Sequence, residues 1–172
     1  MTTSVDFSTE LQNWIRLAGL DMIQGSQTAD GRTVIWNKGG EIRYFVDFVD
    51  GYYVITSSDR MDAEKFHLGA VTMAVLERYL YGHFGNSVRR FHGLQRMRKP
   101  LSRDELQQGY TIGKVVFGAR ERDALIASSG TAVAIAADDW LVELSHYLEV
   151  TIDTIKNSFL DPEGKPLFTP LL

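Results

Sequence analysis

Residues Glu64–Arg90, EKFHLGAVTMAVLERYLYGHFGNSVRR, decide how the rest of the chain is read. Glu64–Leu68 reads as a short strand, Ala70–Phe84 as a helix and Gly85-Asn86 as a turn. At helical spacing Thr72, Val75, Leu76, Tyr79, Leu80 and His83 share one face, and Met73, Ala74, Tyr81 and Phe84 fall largely on the other. Glu77 and Arg78 are the only clear charges. A helix this apolar around its circumference is packed on more than one side, so it is expected at the centre of the molecule, covering a sheet.

Toward the N-terminus, Glu41–Val49 alternates, with Ile42, Tyr44, Val46 and Phe48 on one face and Glu41, Arg43 and Asp47 on the other. Asp50-Gly51 signals a two-residue hairpin, because both residue types tolerate the positive φ of such a turn. That loop length sets Phe48 opposite Tyr53, Val46 opposite Ile55 and Tyr44 opposite Ser57. Further back, Thr33–Asn37 and Leu20–Gln24 read as strands. Phe7–Ala18 reads as an amphipathic helix capped by Ser8 and ended by Gly19.

Beyond the central helix, Val88–Arg103 holds Arg89, Arg90, Arg96, Arg98, Lys99 and Arg103 with no acid among them. It reads as a connector, with a half boundary near residues 92–104 of a single domain spanning 1–172. Tyr110–Phe117 is a strand, and Asp123–Ala127 and Thr131–Ala136 form a second hairpin about Ser128-Ser129-Gly130. Asp138 or Asp139 is expected to cap a helix with Trp140, Leu141, Leu144, Tyr147 and Leu148 inward. Thr151 is expected to cap a last helix. The proline-bearing tail from Asp161 reads as irregular. The fold class is therefore α+β: a mainly antiparallel sheet built from β-hairpins, packed against a central helix and two or three further helices.

The composition narrows function by exclusion. Without cysteine there is no disulfide, thiolate metal site or Cys nucleophile. The N-terminal MTTSVDFSTE has neither a basic nor an apolar signal region, and no apolar run reaches membrane-spanning length; a cytoplasmic protein is expected. A net charge of −4 weighs mildly against a general nucleic-acid binder. Phosphate-loop, nucleophile-elbow, zinc-protease and dinucleotide motifs are missing, so no catalytic residue, metal or cofactor is expected.

Of the four histidines, His67, His83, His92 and His146, none pairs with another at helical i, i+4 spacing. His83 on the central helix fits a hydrogen-bonded core histidine better than a proton donor in a ligand pocket. Asp47 fits a surface ion pair with Arg43 better than a catalytic acid. The basic run 88–103 supports the alternative of a nucleic-acid-binding module, with Phe91 stacking on a base; docking on acids of the same chain or of a partner is favoured over it.

From Tyr52 to Arg90 the order of residues resembles a family of bacterial immunity proteins from polymorphic toxin systems, which includes the antitoxin of the tuberculosis necrotizing toxin, an NAD glycohydrolase. Ser58-Asp59-Arg60, Leu76-Glu77-Arg78-Tyr79, Phe84-Gly85 and Val88-Arg89 carry the resemblance. It implies a non-catalytic α+β protein that binds a cognate toxin domain in the producing cell and blocks its active site, an NAD glycohydrolase being one candidate. The matching pieces are mainly core and turn residues, so contact positions do not transfer with them. Residue type and expected exposure instead select Trp36, Lys38, Arg43, Tyr52, Arg89, Arg90, Arg96 and Arg98 as partner-binding.

Overall fold

The computed structural model describes residues 4–170; residues 1–3 and 171–172, the two ends of the chain read above, lie outside it. Helix α1 (Thr9–Leu17) begins where the Ser8 hydroxyl accepts the Leu11 amide at 3.2 Å and stops at Gly19, which has φ +79°. Strands β1 (Asp21–Ile23), β2 (Thr33–Trp36), β3 (Ile42–Val49), β4 (Tyr52–Asp59) and β5 (Lys65–Ala70) then run as an antiparallel meander. At the β3–β4 turn Asp50 and Gly51 take φ values of 50° and 85°, and the expected pairs Phe48–Tyr53, Val46–Ile55 and Tyr44–Ser57 all form.

After β5 the chain enters α2 (Met73–His83), capped by the Thr72 hydroxyl on the Val75 amide. The turn expected at Gly85-Asn86 is instead the start of another helix, α3 (Gly85–Phe91). Gly85 is there to admit a ring: a Cβ on it would stand 2.3 Å from Phe159 Cζ. Gly82 does the same for Tyr147, whose Cε2 lies 2.0 Å from the place a Cβ would take. The central helix is thus flanked by α1, α3, α4 (Asp138–Ser145), α5 (Ile152–Leu160) and β5, which accounts for its lack of a polar face.

The second half adds β6 (Met97–Arg98), β7 (Thr111–Phe117), β8 (Arg120–Ile126) and β9 (Ala132–Ala136). Strand β8 begins at Arg120 rather than Asp123, because Gly118 and Ala119, at φ 61° and 60°, make a tight turn that pairs Phe117 with Arg120. The cap of α4 is Ala137, with no side-chain bond. Asp139 accepts the Trp140 amide and Asp138 accepts Arg103 Nε, both at 2.9 Å, so the carboxylates sit in the first turn without capping it. Thr151 does cap α5, accepting the Thr154 amide at 3.1 Å. The tail is not wholly irregular, since β10 (Thr169–Pro170) pairs with β6 and Phe168 is buried.

The main sheet has the order β1-β2-β3-β4-β5-β9-β8-β7 and is antiparallel throughout, with β5 and β9 joining the halves. One core packs Ile35, Val46, Ile55, Leu68, Leu125 and Ala134 of the sheet against the helices. On the opposite face the sheet curls. The Phe117 ring of β7 lies 5.3 Å from Tyr52 of β4 and 5.8 Å from Phe66 of β5, although β9 and β8 separate β5 from β7. Arg122 stacks 3.9 Å over Phe66, and Val54, Ala124 and Ile135 are buried on this side. The sheet's own hairpin therefore covers one part of this face.

Replacing Gly82 by Ala is expected to destabilise the protein by about 1–3 kcal/mol through overpacking against Tyr147. A thermal melt should read this as a fall in Tm of roughly 2–12 °C.

Candidate functional site

The β2–β3 connection brings the first group of selected residues together. Gly39 and Gly40, at φ 89° and 68°, turn the chain, and the Asn37 carboxamide oxygen accepts the Ile42 amide at 2.9 Å. Cross-strand register then places Asp21, Trp36 and Arg43 in one row. With Lys38 they line an open hollow of about 490 Å³. The expected Arg43–Asp47 ion pair does not form: Arg43 Nε donates to the Gly40 carbonyl at 3.3 Å, and Asp47 accepts the Phe48 amide at 2.8 Å.

Lys38 also lines a second hollow, about 440 Å³, between the end of the β2–β3 hairpin and α3, where Tyr44, His83, Ser87 and Arg90 meet. His83, Ser87 and Arg90 continue into a third, about 430 Å³, which reaches Arg96, Lys99 and Trp140. Trp36, Lys38, Arg43, Arg90 and Arg96 therefore lie along one strip of adjoining hollows that wraps around the end of the β2–β3 hairpin.

The other three selected residues lie elsewhere. Arg89, expected at the surface, is fully buried. Its guanidinium donates to the carbonyls of Gln95, Phe159, Asp161 and Pro162, with Nη1 at 2.7 Å from Phe159 O. The Phe159 carbonyl in the last turn of α5, and those of Asp161 and Pro162 just beyond it, are thus met by a buried cation, which leaves the Arg89 guanidinium with no exposed surface in this chain. Tyr52 packs on Phe117 across the curled face, and Arg98 pairs with Glu105 at 2.8 Å.

The rest of the basic run is also largely spoken for. Lys99 meets Glu143 at 2.9 Å and the Gly82 carbonyl at 2.8 Å, and Arg103 meets Asp138 at 2.9 Å. Among the described residues, Arg90 and Arg96 alone of this run lack both an ion pair and a carbonyl cage. A run consumed by its own acids and carbonyls does not present the row of free cations that phosphate tracking requires.

Sequence reasoning missed the network beneath the strip. Tyr44 Oη lies 3.2 Å from His83 Nε2, His83 Nδ1 lies 3.4 Å from Tyr79 Oη, and Tyr79 Oη lies 2.6 Å from His67 Nε2. With both imidazoles neutral, each contact receives one proton when Tyr44 donates to His83, His83 to Tyr79 and Tyr79 to His67. His83 is hydrogen-bonded, as the sequence suggests, but by side chains, and it stands half-buried at the floor of two hollows rather than in the core. Burial pushes the Tyr44 and Tyr79 phenols up, and pulls His67 down from 6.5 to about 4 and His83 well below 6.5. The i, i+4 spacing of Tyr79 and His83 was a visible signal; the approach of Trp140, 4.9 Å from His67, had none. Among the described residues no three His, Asp or Glu side chains are grouped to hold a metal ion. What the strip offers is cations, hydroxyls and aromatic edges around an uncharged floor, with one carboxylate, Asp21, at its sheet end, the chemistry of a recognition surface.

Comparison with known proteins places the chain as a whole. Residues 14–167 match the model of a family described as Immunity protein 61. The immunity factor for TNT of Mycobacterium tuberculosis (strain ATCC 25618 / H37Rv) is 60% identical over 98% of this chain and 96% of its own length. The immunity factor for TNT homolog of Mycobacterium bovis (strain BCG / Pasteur 1173P2) gives the same values, 60%, 98% and 96%. The solved structure of Rv3902c from M. tuberculosis superposes with a TM-score of 0.95 at 59% identity, covering 99% of this chain and 98% of that one.

The half-buried histidines make stability depend on pH. The unfolded chain takes up protons near pH 6.5 that the folded sites refuse, so stability present above that value is lost as pH falls toward about 4. At pH 5, His67 should account for on the order of 1–2 kcal/mol of the loss. Urea titrations at pH 7 and pH 5 should show a smaller difference for His67→Gln than for the parent protein.

Proposed function

The chain belongs to the Immunity protein 61 family, and from that premise we propose that it is a stoichiometric inhibitor of a TNT-type toxin. It holds the toxin through the strip around Trp36, Lys38 and Arg43 and closes the toxin's active site. The carrying observation is 60% identity to an immunity factor for TNT over 98% of this chain. The reaction inhibited is NAD hydrolysis, the inhibitor itself performs no catalysis, and the complex forms in the cytoplasm of the producing cell. No helix among the described residues is long and apolar enough to cross a membrane. The chain acts as one domain, since both halves of the sheet present the same helical layer to the core.

The reading depends on rigid presentation. An aromatic side chain and a guanidinium on adjacent strands, at a β-sheet register position, give a partner a fixed target with little ordering entropy left to lose. Titrating TNT with this chain tests it: NAD hydrolysis should vanish at a one-to-one ratio, and hydrolysis persisting in excess chain would overturn the proposal. Trp36→Ala and Arg43→Glu should each raise Kd by at least about tenfold, the scale of a hot-spot loss, with Tm unchanged.

A further inference from the structure

The second and third hollows share His83, Ser87 and Arg90 and form one cleft beside α3. No Asp or Glu lines either hollow, although the chain holds 22 acids against 18 Lys and Arg. Lys38, Arg90 and Arg96 are exposed there, and none has an ion pair among the described residues. Neighbouring cations of the same run are matched internally, as Lys99 is by Glu143 and Arg103 by Asp138. The floor is held neutral by the Tyr44–His83–Tyr79 chain, and the Asn86 carboxamide is occupied by both backbone groups of Met97. The positive potential of the cleft is therefore uncompensated from within.

We propose, resting on the inhibitory reading above, that this cleft seats a carboxylate-bearing segment of the toxin, with Arg90 at its centre and Lys38 and Arg96 on its two sides. Three cations disposed around a recess suit one or two acidic side chains of a protruding loop. A nucleic acid would need a longer row of free charge and several stacking rings. Phe91, 59% exposed beside Arg90, supplies the apolar rim against which the stem of such a loop packs.

The test is stopped-flow association of TNT with this chain and with Lys38→Glu, Arg90→Glu and Arg96→Glu at low and high ionic strength. Arg120→Glu, on the β7–β8 hairpin, is the control, and Arg90→Gln is the neutral counterpart. Arg90→Glu should slow association by about tenfold or more and flatten its salt dependence, with Arg90→Gln intermediate and Arg120→Glu like the parent. Parental rates and affinity in all three cleft variants, with inhibition intact, would overturn the acidic occupant and leave the inhibitory function standing. Failure of the parent chain to bind TNT would overturn both. Saturable binding of inorganic pyrophosphate by the free chain, lost in Arg90→Glu while toxin affinity is unaffected, would overturn this proposal in favour of a phosphate ligand.

Discussion

A guanidinium removed from water must bring its own solvation with it, and Arg89 does so with four backbone carbonyls. Because those carbonyls belong to the loop after α3, the end of α5 and the turn beyond it, one side chain fixes how three segments meet. The arrangement also orients α3. With Arg89 and Val88 turned inward, Arg90 is directed outward into the cleft. The position of the candidate interface therefore follows from an interaction buried within the chain. Removing the guanidinium would strand several buried acceptors at once, a far larger disturbance than any change at Arg90.

The surface strip has a related origin. Its two ends come from unlike devices: a cross-strand row on β2 and β3 at one end, and the exposed side of a short helix at the other. They are joined by Lys38 at a glycine turn, whose geometry is set locally by Asn37 and two positive-φ residues. None of these parts is unusual. What distinguishes the strip is that its only acid, Asp21, lies at the sheet end, whereas the cleft beside α3 has none and the neighbouring Lys99 and Arg103 are taken up by Glu143 and Asp138.

Local patterns in the sequence carried much of the fold. Alternation in β3 and β4, the Asp-Gly turn between them and the hydroxyl caps Ser8 and Thr151 each act within a few residues, and each agrees with the structure. Where reasoning failed, the cause lay at long range. Gly85 looks like a turn former until the Phe159 ring, distant in sequence, shows that it is a packing glycine inside a helical stretch. A run of arginines looks solvated until α5 supplies carbonyls to one of them. Trp36, Lys38 and Arg43 were selected singly, by residue type and expected exposure; it is the β2–β3 hairpin that brings them together. Their continuity with Arg90 and Arg96 was not legible, since it requires the helical layer to be docked.

The seam between β5 and β9 separates this sheet from a simple meander. Every other neighbouring pair of strands in it is also consecutive along the chain, whereas Leu68 meets Ala136 across the whole helical segment that contains α2 and α3. Two hairpin arrays can form quickly from local contacts, and closing the loop between them is the entropically demanding event. The seam is therefore the pairing that local hairpin formation cannot supply. Strand β5 gains its second neighbour only when β9, late in the chain, is in place, so completion of this sheet waits on nearly the whole sequence.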